Sequence, residues 1–176
     1  MNLIIQEVSL DQIDLLLKVA KNSFVQTYQD QNNPEDMADY LERNFNKEEL
    51  ELELKDENSK FFIACLEDKA VGYFKLSFNK VHKLLKTDKA IKLERLYLLQ
   101  SYIGRGIGKE LMFKAIEVTK NNKVEYLWLG VWKENQKAIA FYQRWGFKIF
   151  SEEIFFLGED AQEDWLMKKR IEINGE

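Results

Sequence analysis

Apolar positions along this chain change period repeatedly, and each change marks a switch between strand and helix. Residues 3–8, LIIQEV, read as a strand. Ser9 and Gln12 then have capping-box spacing, and Ile13, Leu16, Leu17 and Ala20 follow at helical intervals. A second helix is predicted over 33–45, where Asn33 is the N-cap, Pro34 takes the first helical position and acids fill the first turn. Residues 47–56 form a third. KFFIACLE (60–67) and AVGYFKLSFN (70–79) flank Asp68-Lys69 and predict an antiparallel hairpin. KAIKLERLYLL (89–99) is a further strand. Beyond it the chain runs through three glycines into a helix with Leu111, Met112, Ala115 and Ile116 on one face. YLWLGVW (126–132) is almost unbroken in its apolar character, as a strand covered on both faces would be. A helix over 135–145 closes at Gly146, and residues 147–153 and 164–170 read as final strands.

Strand, glycine loop, helix and strand over 89–132 make a βαβ unit, so its two strands should run parallel. The loop segment is SYIGRGIGKELM, residues 101–112. A Walker-type phosphate loop fails here, because position 103 is Ile and position 110 is Glu. A dinucleotide fingerprint fails too, because position 109 is Lys. What remains is general. Glycines that open a helix expose unpaired N–H groups at its positive end, which suits an anion, and Arg105 and Lys109 add charge. A tight turn with no ligand uses glycines as well.

Composition narrows the class. The chain has 176 residues, 45% hydrophobic and 32% charged, which fits one globular domain over 1–176. Its net charge of −4 argues against a nucleic-acid groove and suits a cationic partner. Cys65 is the only cysteine and His82 the only histidine, so neither an internal disulfide nor a metal set is expected. The N-terminus lacks the basic region of a signal peptide, and no apolar stretch approaches membrane-spanning length. A reducing cytoplasm is the simplest expected location, with no membrane partner.

Two segments carry a family resemblance. IGRGIG (103–108) resembles the Arg/Gln-x-x-Gly-x-Gly/Ala signature of the GNAT family of N-acetyltransferases at Gly106 and Gly108, departing from it at Ile103. The family's Asn-x-x-Ala-x-x-Phe-Tyr-x-x-x-Gly-Phe pattern stands here as Asn135, Ala138, Phe141, Tyr142, Gly146 and Phe147. Further segments, among them residues 25–46 and the tail FFLGEDAQEDWLMKK, are similar to bacterial PaiA-type spermidine/spermine N-acetyltransferases. The resemblance covers nearly the whole chain. It implies an α/β fold: a mixed, mostly antiparallel sheet with a splayed parallel pair and helices on both faces.

It also implies acetyl-CoA as cosubstrate. Its pyrophosphate would sit on the N–H groups of Gly104, Arg105, Gly106, Ile107, Gly108 and Lys109. Its pantetheine arm would lie along the backbone of Leu96, Tyr97 and Leu98, with Asn135 and Arg144 as further contacts. Tyr142 resembles the family's donor to the departing thiolate. An alkyl ammonium with a pKa of about 10.4 must lose a proton before it attacks a thioester. Glu94 is the candidate base, since strand alternation gives it the parity of Leu96 and Leu98. Glu35, Asp39 and Glu42 share one helical face that could guide a polycation, and Trp132 could add a cation–π wall. The expected activity is acetyl transfer to a primary amine of a polyamine or similar small amine. The alternatives are a peptide or protein amine as acceptor, or a coenzyme-A-binding regulatory protein with little turnover. A homodimer stays open.

Overall fold

The computed structural model describes residues 2–30, 32–78, 80–157 and 160–172. Within them, seven strands form one sheet: β1 (Leu3–Glu7), β2 (Ser59–Leu66), β3 (Lys69–Ser77), β4 (Ala90–Leu98), β5 (Tyr126–Trp132), β6 (Lys148–Leu157) and β7 (Asp160–Arg170). The α-helices among the described residues are α1 (Ile13–Tyr28), α2 (Pro34–Asn44), α3 (Lys47–Lys55), α4 (Ile107–Asn121) and α5 (Gln136–Arg144). Their starts follow from local chemistry. Asn33 accepts from Glu35 N–H at 2.8 Å, Asn46 from Glu49 N–H at 2.8 Å and Asn135 from Ala138 N–H at 3.1 Å.

The strand order is β1-β2-β3-β4-β5-β7-β6. Every neighbouring pair is antiparallel except β4 and β5. Helices cover both faces. Leu16, Val19 and Phe24 of α1, Met37 and Leu41 of α2 and Leu50 of α3 pack on Phe61, Ile63 and Tyr73. On the opposite face Leu111 and Met112 of α4 and Ile139 and Tyr142 of α5 pack on Phe74, Ile91 and Leu127. Each large apolar side chain so buried contributes roughly 1.5–3 kcal/mol.

Two boundaries differ from the sequence reading. The hairpin turn is Glu67-Asp68, both at positive φ (48° and 64°), one residue earlier than the pattern suggested. This is the backbone geometry of a two-residue turn that matches strand twist. Asn79, the last residue of the expected second hairpin strand, lies outside the described residues. The final strands are also longer than predicted, and β7 inserts between β5 and β6.

The feature that matters for function is the β4/β5 pair. It is joined only at Ala90–Tyr126, Ile91–Leu127 and Lys92–Trp128. Beyond those residues β4 stays with β3 and β5 stays with β7, so the two strands part and leave a V-shaped notch.

Candidate active site

The notch edges expose strand-type hydrogen-bonding groups. Leu99 N–H donates to Val71 C=O at 2.9 Å. In an antiparallel ladder bonded pairs alternate, so Tyr97 bonds to Tyr73, while Leu96 and Leu98 point their N–H and C=O away from β3 into the notch. On the other edge Lys133 N–H donates to Glu163 C=O at 2.9 Å, and the same alternation turns Gly130 and Trp132 toward the notch. The expectation for the Leu96–Leu98 backbone is therefore refined: Leu96 and Leu98 face the notch, whereas the Tyr97 main chain is occupied by β3. Gly130 and Trp132 main-chain groups are additional, and only the β5–β7 register reveals them.

The loop after β4 is anchored at both ends. Gln26 of α1 accepts from Gln100 N–H at 2.8 Å, and Ile107, at 1% exposure, plugs the start of α4 into the core. Gly104 and Gly106 both have φ of +83°, where a side chain is strained, and an added Cβ would meet nothing within 4 Å. These glycines answer a backbone requirement and leave the space before them open. Among the described residues no hydrogen bond uses the N–H of Gly104, Arg105, Gly106, Ile107 or Gly108. Lys109 N–H donates to Gly106 C=O at 3.0 Å, so that one candidate is already engaged. Arg105, stacked over Tyr102 at 5.1 Å, and Arg144, in the last turn of α5, are exposed cations.

Tyr142 projects from the buried face of α5 against Phe147, with ring centroids 5.8 Å apart. Burial, with a smaller contribution from Tyr97, pushes its phenol well above the usual tyrosine range. It therefore stays protonated and can only donate or accept as a neutral hydroxyl near pH 7. Among the described residues its hydroxyl has no hydrogen-bond partner. Across the sheet, the Tyr28 hydroxyl of α1 and the Tyr97 hydroxyl are 3.2 Å apart. Trp132 stands beside Tyr28, with centroids 6.4 Å apart, and Tyr40 meets Phe155 at 6.0 Å. These rings form an aromatic wall on the α1–α2 side of the notch.

Glu94 does not have the predicted parity. The β3–β4 register slips between Lys75 and Leu76, so Arg95 pairs with Lys75 and Leu93 with Leu76, and Glu94 falls in a bulge. The bulge turns its carboxylate away from the Leu96/Leu98 face. It lies between Lys75 Nζ at 2.7 Å and Lys80 Nζ at 2.6 Å. Burial alone would raise its pKa, but hydrogen bonds from the two lysines outweigh burial and hold it at about 2. So weak a base is a poor proton acceptor.

Glu35, Asp39 and Glu42 are exposed, on the face of α2 opposite the buried Met37 and Leu41. The face of α2 that meets the site presents Tyr40 instead. The carboxylates at the notch come from the last two strands. Asp164 of β7 pairs across with Glu153 of β6 and with Trp132 of β5. A Cβ on Gly130 would meet Asp164 Oδ2 at 3.4 Å and Glu153 Oε1 at 3.5 Å, so both carboxylates converge over the bare Cα of Gly130. Sequence reasoning missed both. Gly130, the one small residue in YLWLGVW, is the signal that something crosses β5 there.

These features bear on the chain's relationships. The sequence model of the acetyltransferase (GNAT) family matches residues 19–147. The chain belongs to that family. An uncharacterized N-acetyltransferase of Lactobacillus delbrueckii subsp. lactis is 34% identical over 167 residues, covering 95% of this chain and 96% of the relative. A spermidine N(1)-acetyltransferase of Thermoplasma acidophilum is 27% identical over 177 residues, covering 98% and 99%. A crystal structure of the PaiA N-acetyltransferase of Thermoplasma acidophilum in complex with coenzyme A superposes with a TM-score of 0.78 at 24% identity, covering 97% of this chain and 99% of that one. The chain is thus an acetyl-CoA-dependent N-acetyltransferase, and its mixed sheet with one parallel pair is the GNAT fold. No helix among the described residues is long and apolar enough to cross a membrane.

The residues present fit the GNAT cosubstrate. A helix N-terminus with open N–H groups suits a diphosphate. The notch offers unpaired strand donors and acceptors, which suit an arm that carries amide groups.

Proposed function

We propose that this enzyme acetylates a primary amine of a polyamine or a similar small cation. The observation that carries the reading is the convergence of Tyr28, Trp132, Asp164 and Glu153 on one side of the notch. Rings and carboxylates together recognise an alkyl ammonium through cation–π and ionic attraction. The spermidine acetyltransferase relative, aligned over 98% of this chain, supports the same acceptor class.

In this reading the N–H groups of Gly104 to Gly108 hold the pyrophosphate, with Arg105, Lys109 and Arg144 supplying charge. Leu96, Leu98, Gly130 and Trp132 main-chain groups align the pantetheine arm. Acetyl-CoA supplies an activated acetyl thioester. The Leu98 N–H polarises the carbonyl, and the Tyr142 hydroxyl donates to the sulfur as the C–S bond breaks. A phenol is a weaker acid than a thiol, so Tyr142 stabilises the thiolate by hydrogen bonding and keeps its proton. Asn135 acts chiefly as the α5 cap. Glu35, Asp39 and Glu42, one face away, act on distal charge only through long-range attraction.

Free-thiol release tests the acceptor. Spermidine and spermine should exceed a short alkyl monoamine in kcat/KM, and moderate salt should erode the difference, since exposed charges are screened over about 8–10 Å. Equal efficiency for monoamine and polyamine overturns the polyamine reading. Preference for a peptide α-amine replaces it.

A further inference from the structure

We infer that Asp164 accepts the amine proton during acetyl transfer, with Glu153 as its positioning and tuning partner. The inference rests on the proposed entry of the amine beside Trp132, but not on the amine being a polyamine.

The geometry has three parts. First, Asp164 is cross-strand from Trp132 at the open end of β5, past the last residue that pairs with β4. Second, its Oδ2 lies over the bare Cα of Gly130, 3.4 Å from where a Cβ would stand. Third, Tyr142 belongs to the core on the opposite face of the sheet from Tyr28 and packs there against Phe147. Tyr142 and Asp164 both act electrostatically on Tyr28. In this proposal the donor to the leaving group and the acceptor of the proton come from opposite faces of the sheet. Among the described residues neither Asp164 nor Glu153 has a hydrogen-bond or ion-pair partner.

The surroundings make Asp164 a better base than Glu94. Burial and then the Glu153 carboxylate raise its pKa to about 6, while Lys92 pulls the other way. The groups that act on it electrostatically are Glu153 from β6 and Lys92 from β4, and it acts in turn on Tyr97 of β4 and Tyr28 of α1. A carboxylate at about 6 is still ionised at neutral pH, yet far more basic than one at about 2. The step balances simply. The ammonium gives one proton to Asp164, directly or through one water, and the nitrogen attacks the carbonyl carbon. The C–S bond then breaks, the second amine proton ends on the sulfur, and the proton on Asp164 leaves to solvent.

The test uses Asp164→Asn with both spermidine and a short monoamine. In the wild type, kcat/KM should steepen below about pH 6. In Asp164→Asn, kcat should fall roughly 10²-fold for both acceptors, and the steepening should vanish, leaving only the ionisation of the amine. Acetyl-CoA should stabilise the variant as it does the wild type. The variant should also melt at higher temperature, because a buried repelling charge has gone. Glu153→Gln should move the steepening to lower pH, and Asp164→Glu should retain it. A steepening that persists in Asp164→Asn overturns the inference, as does a raised KM with unchanged kcat, which would make Asp164 a cation anchor. If wild type prefers no polyamine but the steepening behaves as described, the acceptor reading fails and this one stands.

Discussion

Glu94→Gln separates a structural carboxylate from a catalytic one. Glu94 is 12% exposed and bridges Lys75, itself 6% exposed, to Lys80. Its pKa falls from 4.5 to about 2 on folding. That difference corresponds to roughly 3 kcal/mol of stability. Its sign follows from linkage. The unfolded carboxyl binds protons more readily than the folded one, so the stabilisation is complete above the unfolded value. It is lost as pH falls toward 2. Gln keeps the shape and removes the charge, leaving Lys75 with Glu53 alone, at 2.8 Å. The variant should melt roughly 6–12 °C below wild type at pH 7. Denaturant titration across pH should find more than about half of that stability gap gone by pH 3. Turnover of the folded variant at a temperature where both proteins are folded should stay within a few-fold of wild type. Equal melting temperatures together with a roughly 10²-fold loss of kcat would refute the reasoning and restore Glu94 as the base.

Tyr142→Phe keeps the ring packed on Phe147 and removes only the hydroxyl. A fall in kcat of roughly 10²-fold with unchanged acetyl-CoA affinity is expected, and unchanged chemistry in single-turnover measurements would leave the hydroxyl without a role. Gly106→Val places a β-branched residue at φ +83°, at a local cost of about 1–3 kcal/mol, and should abolish stabilisation by acetyl-CoA. In wild type that stabilisation should reach about 2.7 kcal/mol at 100 times the dissociation constant, read by thermal shift, and equal stabilisation by ATP would contradict the reading of the loop.

Local signals in the sequence reached as far as local structure does. The cap at Asn33, the hairpin near Asp68 and the apolar run of β5 are written within a few residues of where they act. The βαβ rule then predicted the parallel pair, because a strand followed by a helix and a strand has few ways to return to a sheet. The order β5-β7-β6 is a different kind of fact. It depends on which long-range ladder forms, and residues 147–170 carry no pattern that decides between pairing β6 or β7 with β5.

Glu94 and Asp164 show how that difference reaches the chemistry. Alternation along β4 holds only while the register holds, and one bulged residue moves Glu94 off the face of Leu96 and Leu98 to a place between Lys75 and Lys80. Periodicity cannot report a bulge, because the extra residue looks like any other polar position. Asp164 had the opposite difficulty. It lies 34 residues beyond Gly130 in the chain, and only the Gly130–Leu166 and Trp132–Asp164 register brings it over the glycine. A base that must be raised in pKa needs burial and a like charge beside it, and here both come from strands paired at a distance. A base drawn from β4 alone would sit among the residues that already pair for stability, as Glu94 does. Reactive basicity and a low-energy ion pair make opposite demands on one carboxylate. The fold meets them with two, one on each side of the point where β4 and β5 part.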